Sequence, residues 1–360
     1  MIFLLAALML TAIAACSTDD DDSGAGSSSG SFDDEDVIAD YADEVIVPTY
    51  QWLADEAANL LDAVDALDAD TTDGNLATAQ QAWRDTRLPW EQSEGFLFGP
   101  VDSFGYDPAL DSWPVNKTDL DAVLADSDDL TVDYVRNLGE GLQGFHTVEY
   151  LLFGAANDKD AADFTARELQ YLTSSTTVLA EIAANLATSW TEGIDDSAPY
   201  RDTFATAGQD GNTAYPSYSS AAQEIVLAMV GICDEVANGK IADPYDAGDV
   251  TLVESQFSFN SLTDFKSNIT SIQNGYMGDV AGAGTSGKGM NEWVASVDSD
   301  LDDTIQTQIQ AAIDALDEIA EPFRDSITDP DQAANIEAAQ EAINTLANTL
   351  QDELVPLIQE

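Results

Sequence analysis

The chain has 360 residues, room for about two domains at roughly 150 residues each and enough to build a core without disulfide or metal staples. Eleven Lys and Arg stand against 68 Asp and Glu (48 Asp, 20 Glu), a formal charge of −57 that repels nucleic acid and anionic lipid and favours cations; its main cause is a solvated surface suited to saline surroundings. Hydrophobic residues make up 44%, which argues against a globally disordered chain.

Residues 2–15 (IFLLAALMLTAIAA) form an uncharged apolar run, too short to span a bilayer and ending in small residues. Residues 1–15 therefore read as a signal peptide, although no Lys or Arg precedes the run. Ile13-Ala14-Ala15-Cys16 resembles the bacterial lipobox, in which the cysteine is acylated and becomes the mature N-terminus. Ordinary cleavage near Ala15 is the alternative. Lipidation of Cys16 would attach the protein to the membrane firmly, since each buried CH₂ contributes about 0.8 kcal/mol. Residues 16–36 then form an acidic, Ser- and Gly-rich tether. Its run Asp19 to Asp22 also resembles the surface-export signal of some bacterial lipoproteins. The expected location is the cell envelope, on the outer membrane facing the periplasm or at the cell surface. Cys233, the other cysteine, lies in IVLAMVGICDEV and reads as a buried small hydrophobe, so no intrachain disulfide is expected.

Beyond Val37 the pattern is helical nearly throughout. In YQWLADEAANLLDAVDALDA, Trp52, Leu53, Ala57, Leu60, Leu61, Val64 and Leu67 recur with a helical period, and 301–319 and 331–357 read alike. Gly and Pro cluster at Phe98–Pro114, Asp195–Pro216, Gly239–Gly248 and Tyr276–Gly289, predicted to be loops; the first is long enough to carry function. The predicted fold is all-α, built as helical bundles. A break within Asp195–Tyr215 divides it into an N-terminal bundle, 37–200, and a C-terminal bundle, 201–360. A segment closing on Gly154 and another closing on Gly278 are faintly alike, which suggests an internal duplication whose second copy lacks His and Glu.

His146 is the sole histidine, which excludes a two-histidine zinc helix, and no Gly-x-Ser-x-Gly elbow set between a strand and a helix is present. In Gly144-Phe145-His146-Thr147-Val148-Glu149, the spacing puts His146 and Glu149 on one helical face, able to converge on Zn, Fe or Mn. Such a histidine among Phe145, Val148 and Leu151 also fits a hydrogen-bonded core residue. Glu91 and Glu94 repeat the same spacing among Trp83, Trp90, Phe96 and Phe98, so these carboxylates need a metal or a cation such as Arg87, four residues before Glu91. Arg is scarce, with six in the chain, so Arg87 beside Trp90 reads as structural or functional. Asp111 and Trp113 lie in a Pro-bounded aromatic loop, and Glu254 and Ser255 precede a helix whose Ser261–Asp264 reads as a cap. Glu254 and Asp264 are candidates for a site in the second half.

Together these pieces resemble the imelysin family: Gly-x-His-x-x-Glu before Tyr-Leu-Leu-Phe-Gly, Arg-x-Pro-Trp-Glu-x-x-Glu-x-Phe-x-Phe-Gly-Pro, Asp-x-Trp-Pro, and Glu-Ser-x-x-Ser-x-Asn-Ser-Leu. The match runs from about Val37 to Glu360. The resemblance implies two related helical bundles, a bacterial envelope location and a site near the bundle interface. It also implies a link to iron, since members include iron-regulated lipoproteins and relatives serve in ferrous-iron uptake. The expected cofactor or cargo is a divalent metal, iron foremost and zinc next, held by His146, Glu149, Glu91 and Glu94. The ligand pocket would add Arg87, Trp90, Asp111, Trp113, Glu254 and Ser255. Expected partners are the metal ion, the membrane through the lipid anchor and an iron-transporter component, with no nucleic acid. Two alternatives stand beside metal capture. One is a zinc metallopeptidase using the same residues, as the family's classification suggests. The other is a metal-free module that binds a small ligand or a partner protein.

Overall fold

The computed structural model describes residues 32–359; the expected signal run, Cys16 and most of the tether lie outside the described residues. The tether ends earlier than its composition suggests. Phe32 is buried against Trp293, Asp34 caps a helix by accepting from Val37 N–H, and Lys288 Nζ donates to Asp34 at 2.6 Å. One aromatic side chain and one cap pull these residues out of an otherwise solvated acidic run.

Nine of the helices among the described residues build the frame: α1 (Val47–Ala69), α2 (Asp73–Glu91), α3 (Tyr106–Asp111), α4 (Gly144–Phe153), α5 (Ala166–Thr191), α6 (Tyr218–Asp234), α7 (Ser261–Met277), α8 (Ser299–Asp317) and α9 (Ala333–Thr349). The fold is all-α. The strands among the described residues are an antiparallel pair, β1 (Asp279–Val280) and β2 (Thr285–Ser286), within the predicted Tyr276–Gly289 loop. The helical period sets which faces pack. Leu53, Ala57, Leu60, Val64 and Leu67 of α1 are all buried, and α1 lies against α2 and α5. Thr72 caps α2, and Thr165 with Glu168 forms a capping box at α5, fixing where both helices begin. Helix α4 packs on α2 and α5, while α6 to α9 pack among themselves. Helix α2 crosses to meet α7, and the apolar interior is continuous through both groups. Among the described residues no helix is long and apolar enough to cross a membrane.

Three predicted loops carry helices instead, Asp195–Pro216 among them through Tyr200–Ala205. Phe98–Pro114 contains Pro100–Ser103 and α3, so Asp111 sits at a helix end. Gly239–Gly248 continues α6: a π-helical segment, Glu235–Ile241, runs into a short helix, Ala242–Ala247. Val236, Ala237 and Ile241 are buried and the segment packs on α9, so tertiary burial overrides the weak helix propensity of Gly239. The extra residue of a π turn re-aims the side chains after it, and Lys240 points inward, 1% exposed. The Ser261–Asp264 cap is also corrected. The α7 cap position is Asn260; Ser261 Oγ donates to the Glu254 carbonyl, and Asp264 turns into the interior.

Candidate metal centre

Four segments converge where α2 meets α7: the end of α2, the end of α3, the start of α4, and Glu254–Asp264. Trp83 and Trp90 on α2 are fully buried, and Trp83 Nε1 donates to the Phe145 carbonyl at 3.0 Å, locking α2 to α4. Gly144 opens α4 with φ +76°, and its Cα lies against the Leu110 carbonyl, where a Cβ would come within 2.3 Å. Only glycine lets α4 approach α3 so closely, and the approach brings His146 beside Asp111.

His146 is 1% exposed, with carboxylates on both sides of its ring. Nδ1 lies 3.1 Å from Glu149 Oε2, and Nε2 lies 3.1 Å from Asp111 Oδ1 and 3.8 Å from Glu254 Oε1. Glu149 Oε1 faces the other way and accepts from Phe257 N–H (3.0 Å), Ser258 N–H (2.7 Å) and Ser258 Oγ–H (2.7 Å). The loop that supplies these donors holds Ser255 and Phe259 at positive φ, 49° and 60°. Such strain costs on the order of 1–3 kcal/mol per residue and persists where surrounding contacts over-determine it. Glu149 is thus saturated on one oxygen and bound to the imidazole by the other. It orients His146 and leaves Nε2 turned toward Asp111 and Glu254, without a well-directed hydrogen bond.

Arg87, fully buried, binds Glu91 and Asp111, with Glu254 at 3.1 Å and Asp264 at 3.4 Å. The guanidinium also lies over the Phe145 ring. The second oxygen of Asp111 accepts from Trp90 Nε1 at 2.6 Å. Asp264 takes a further bond from Ser255 Oγ and one from Asn260 Nδ2. Lys240 Nζ donates to Glu94 Oε2 at 2.7 Å and lies 3.2 Å from Glu254 Oε2 and 3.6 Å from Glu91 Oε2. Asn268 Nδ2 donates to Glu91 Oε2 (2.6 Å) and Glu94 Oε2 (2.9 Å).

Six buried carboxylates therefore face two permanent cations and one imidazole. The imbalance shows in the titration of the groups. Burial pulls the His146 imidazole down, but its bonds to Asp111 and Glu149 win and raise it to about 9. Burial pushes the Asp111 carboxyl up, yet Arg87 and His146 outweigh it and hold it well below the usual range. Burial raises Asp264 to about 6 against Arg87, and lifts Glu94 well above its ordinary value despite Lys240. Asp107, one turn before Asp111, rises to about 7 through burial and the Asp111 charge. A buried cluster with surplus negative charge takes up protons or cations.

Two donor sets have atoms within 4.8 Å of one another: Asp111, His146 and Glu254; and Glu91, Glu94 and Asp111. Spacings of 3.1 and 3.8 Å from Nε2 suit donors that share one cation through bonds of about 2.1 Å. Trp113, by contrast, is half-buried and is not part of either donor set. With Asp234, Glu235 and Asp243 it lines a surface cavity of about 530 Å³, and Glu235 reaches back to 3.9 Å from Lys240 Nζ.

The family model for imelysin matches residues 46–350. The chain belongs to the imelysin family. Iron-regulated protein A of Synechococcus elongatus is 33% identical over 325 residues, 89% of this chain and 86% of the relative. A solved structure from Parabacteroides distasonis, described as an iron-regulated protein A precursor, superposes with a TM-score of 0.81 at 30% identity, covering 88% of this chain and 93% of that one. An imelysin-like protein from Psychrobacter arcticum shares the fold, with a TM-score of 0.71 at 14% identity over 91% of this chain and 98% of that one.

Within this imelysin, the sequence-predicted residues His146, Glu149, Glu91, Glu94, Arg87, Trp90, Asp111, Glu254 and Ser255 come together, and Trp113 stands at the rim. Lys240, Asn268 and Ser258 escaped the sequence reading. Lys240 carried one signal: it is the only Lys or Arg between Arg201 and Lys266, set beside an apolar run.

Proposed function

We propose that this imelysin captures a divalent cation, iron first, as an envelope lipoprotein anchored through Cys16 and acting in iron uptake or sensing. His146 Nε2, Asp111 and Glu254 form the donor set, and Glu149 positions the imidazole. The observation that carries the reading is the buried His146, pinned at Nδ1 and open at Nε2 toward two carboxylates in a cluster short of positive charge. One imidazole among carboxylate oxygens suits Fe or Mn as well as Zn. Two relatives bearing the name iron-regulated protein A favour iron among these. The bound metal would supply positive charge to the cluster. The chain's own residues exclude water and fix the imidazole tautomer, while Arg87 and Lys240 balance the remaining acids. Asp111, His146 and Glu254 side chains are no more than 5% exposed, so a peptide bond has no direct access, which weighs against hydrolysis.

The test is elemental analysis and calorimetric titration of the purified protein with Fe(II) under anaerobic conditions, then with Zn(II), alongside His146→Ala. Near-stoichiometric uptake lost in the variant supports the reading. Equal uptake by both proteins overturns it, and chelator-sensitive cleavage of insulin B chain would move the assignment to hydrolysis.

A further inference from the structure

The two donor sets share Asp111, the arrangement in which a carboxylate bridges two neighbouring cations. Only one of the sets contains the histidine. The other, Glu91, Glu94 and Asp111, is reached by the ammonium of Lys240, which touches Glu94, Glu254 and Glu91 from 2.7 to 3.6 Å and is 1% exposed. Two things beyond the acids mark this half as built for a cation. The π-helical segment Glu235–Ile241 delivers a lysine into the interior from a helix that otherwise buries apolar side chains. Asn268, fully buried, spends its Nδ2 on Glu91 and Glu94 and leaves its Oδ1 without a partner.

We propose that Lys240 is a resident cation that fills the second half of the carboxylate cluster, so that the centre takes one divalent ion where its acids could hold two. The inference rests on the reading of His146, Asp111 and Glu254 as the metal's donors. An ammonium is a compact point charge with three donors, and here Glu94, Glu254 and Glu91 lie within 3.6 Å of it, with Glu235 at 3.9 Å. It donates to Glu94 Oε2 at 2.7 Å and to Glu254 Oε1 at 3.3 Å, lies 3.6 Å from Glu91, and does not contact His146. Removing its charge while keeping the carboxylates would open a second, all-oxygen position sharing Asp111 with the first.

The experiment counts Mn(II) and Zn(II) equivalents bound by wild type, Lys240→Gln, Lys240→Arg and the His146→Ala/Lys240→Gln double variant. The expected result is one equivalent for wild type, two for Lys240→Gln, one for Lys240→Arg and one for the double variant. One equivalent in both wild type and Lys240→Gln overturns the inference and leaves the metal reading standing. A wild type that binds none overturns both. Should Lys240→Gln fail to fold, the Mn(II)-saturated wild type decides by electron paramagnetic resonance. An uncoupled mononuclear spectrum at saturation supports the inference, and an exchange-coupled pair overturns it.

Discussion

Replacing Glu149 by Gln tests the centre most sharply, because it changes one atom and no volume. The carboxylate meets four donors: three on Oε1, from Phe257 N–H and the N–H and O–H of Ser258, and one on Oε2, from His146 Nδ1. A carboxamide has one acceptor oxygen. Should that oxygen face the loop, its NH₂ group faces His146 Nδ1 across 3.1 Å, and the ring must accept there and carry its proton on Nε2. Nε2 is then closed to a cation. Should the carboxamide turn round, its NH₂ group meets two backbone N–H groups at 2.7 and 3.0 Å. Either arrangement leaves a buried donor unpaired, at about 1–3 kcal/mol. Loss of such an orienting partner lowers metal affinity by about 10–100-fold, equivalent to about 1.4–2.8 kcal/mol. Calorimetric titration with Zn(II) reads the change, with circular dichroism confirming an unchanged helical fold. A dissociation constant equal to that of wild type would refute the orienting role of Glu149 and place it outside the metal's energetics.

Four further outcomes are expected. Gly144→Ala, at φ +76° and with its new Cβ 2.3 Å from the Leu110 carbonyl, should lose on the order of 2 kcal/mol or more in urea unfolding and weaken metal binding by shifting Asp111 from His146. Ser258→Ala removes one of three donors onto Glu149 Oε1 while both backbone donors remain; it should cost about 1 kcal/mol and reduce affinity less than Glu149→Gln does. Neutralising the cavity acids together, as Asp234→Asn, Glu235→Gln and Asp243→Asn, should slow cation uptake in stopped-flow at low ionic strength but leave the final stoichiometry intact. That difference should vanish near 1 M salt, where the screening length is about 3 Å. Saturating metal at about 100 times its dissociation constant should stabilise the fold by about 2.7 kcal/mol, with no such gain in His146→Ala.

The helices were legible because burial follows their period: Leu53, Ala57, Leu60, Val64 and Leu67 of α1 are buried as the spacing requires, with Trp52 and Leu61 half-buried at the edge of the face. Arg87, Glu91 and Glu94 were legible as a buried polar set because large aromatic residues surround them in sequence. Glu149 was legible beside His146 but its task was not. The loop that saturates its other oxygen lies more than a hundred residues away, and no local pattern reports that contact. Lys240 was hidden because Gly239, Pro244 and Gly248 read as a loop. Packing on α9 makes the stretch helical, and the π turn faces the lysine inward. Asp264 was visible as a helix-start acid, yet the cap lies one residue earlier and frees its side chain for Arg87 and Ser255.

The charge of −57 invites the idea that the whole surface gathers cations, but screening argues for the buried cluster instead. At physiological ionic strength exposed charges are damped beyond about 8 Å, and in saltier surroundings sooner. Surface acids also meet water, where a contact at 4 Å is worth only about 1 kcal/mol. The acids around His146 are desolvated, few and held by Arg87, Lys240, Asn268 and the Glu254–Asn260 loop, so salt reaches them weakly and their geometry cannot relax. The outer acids keep the protein solvated and, on the proposed reading, would bring cations to the cavity beside Glu235. On the same reading, selection among cations falls to the one imidazole and to the carboxylates that Arg87 and Lys240 leave partly uncompensated.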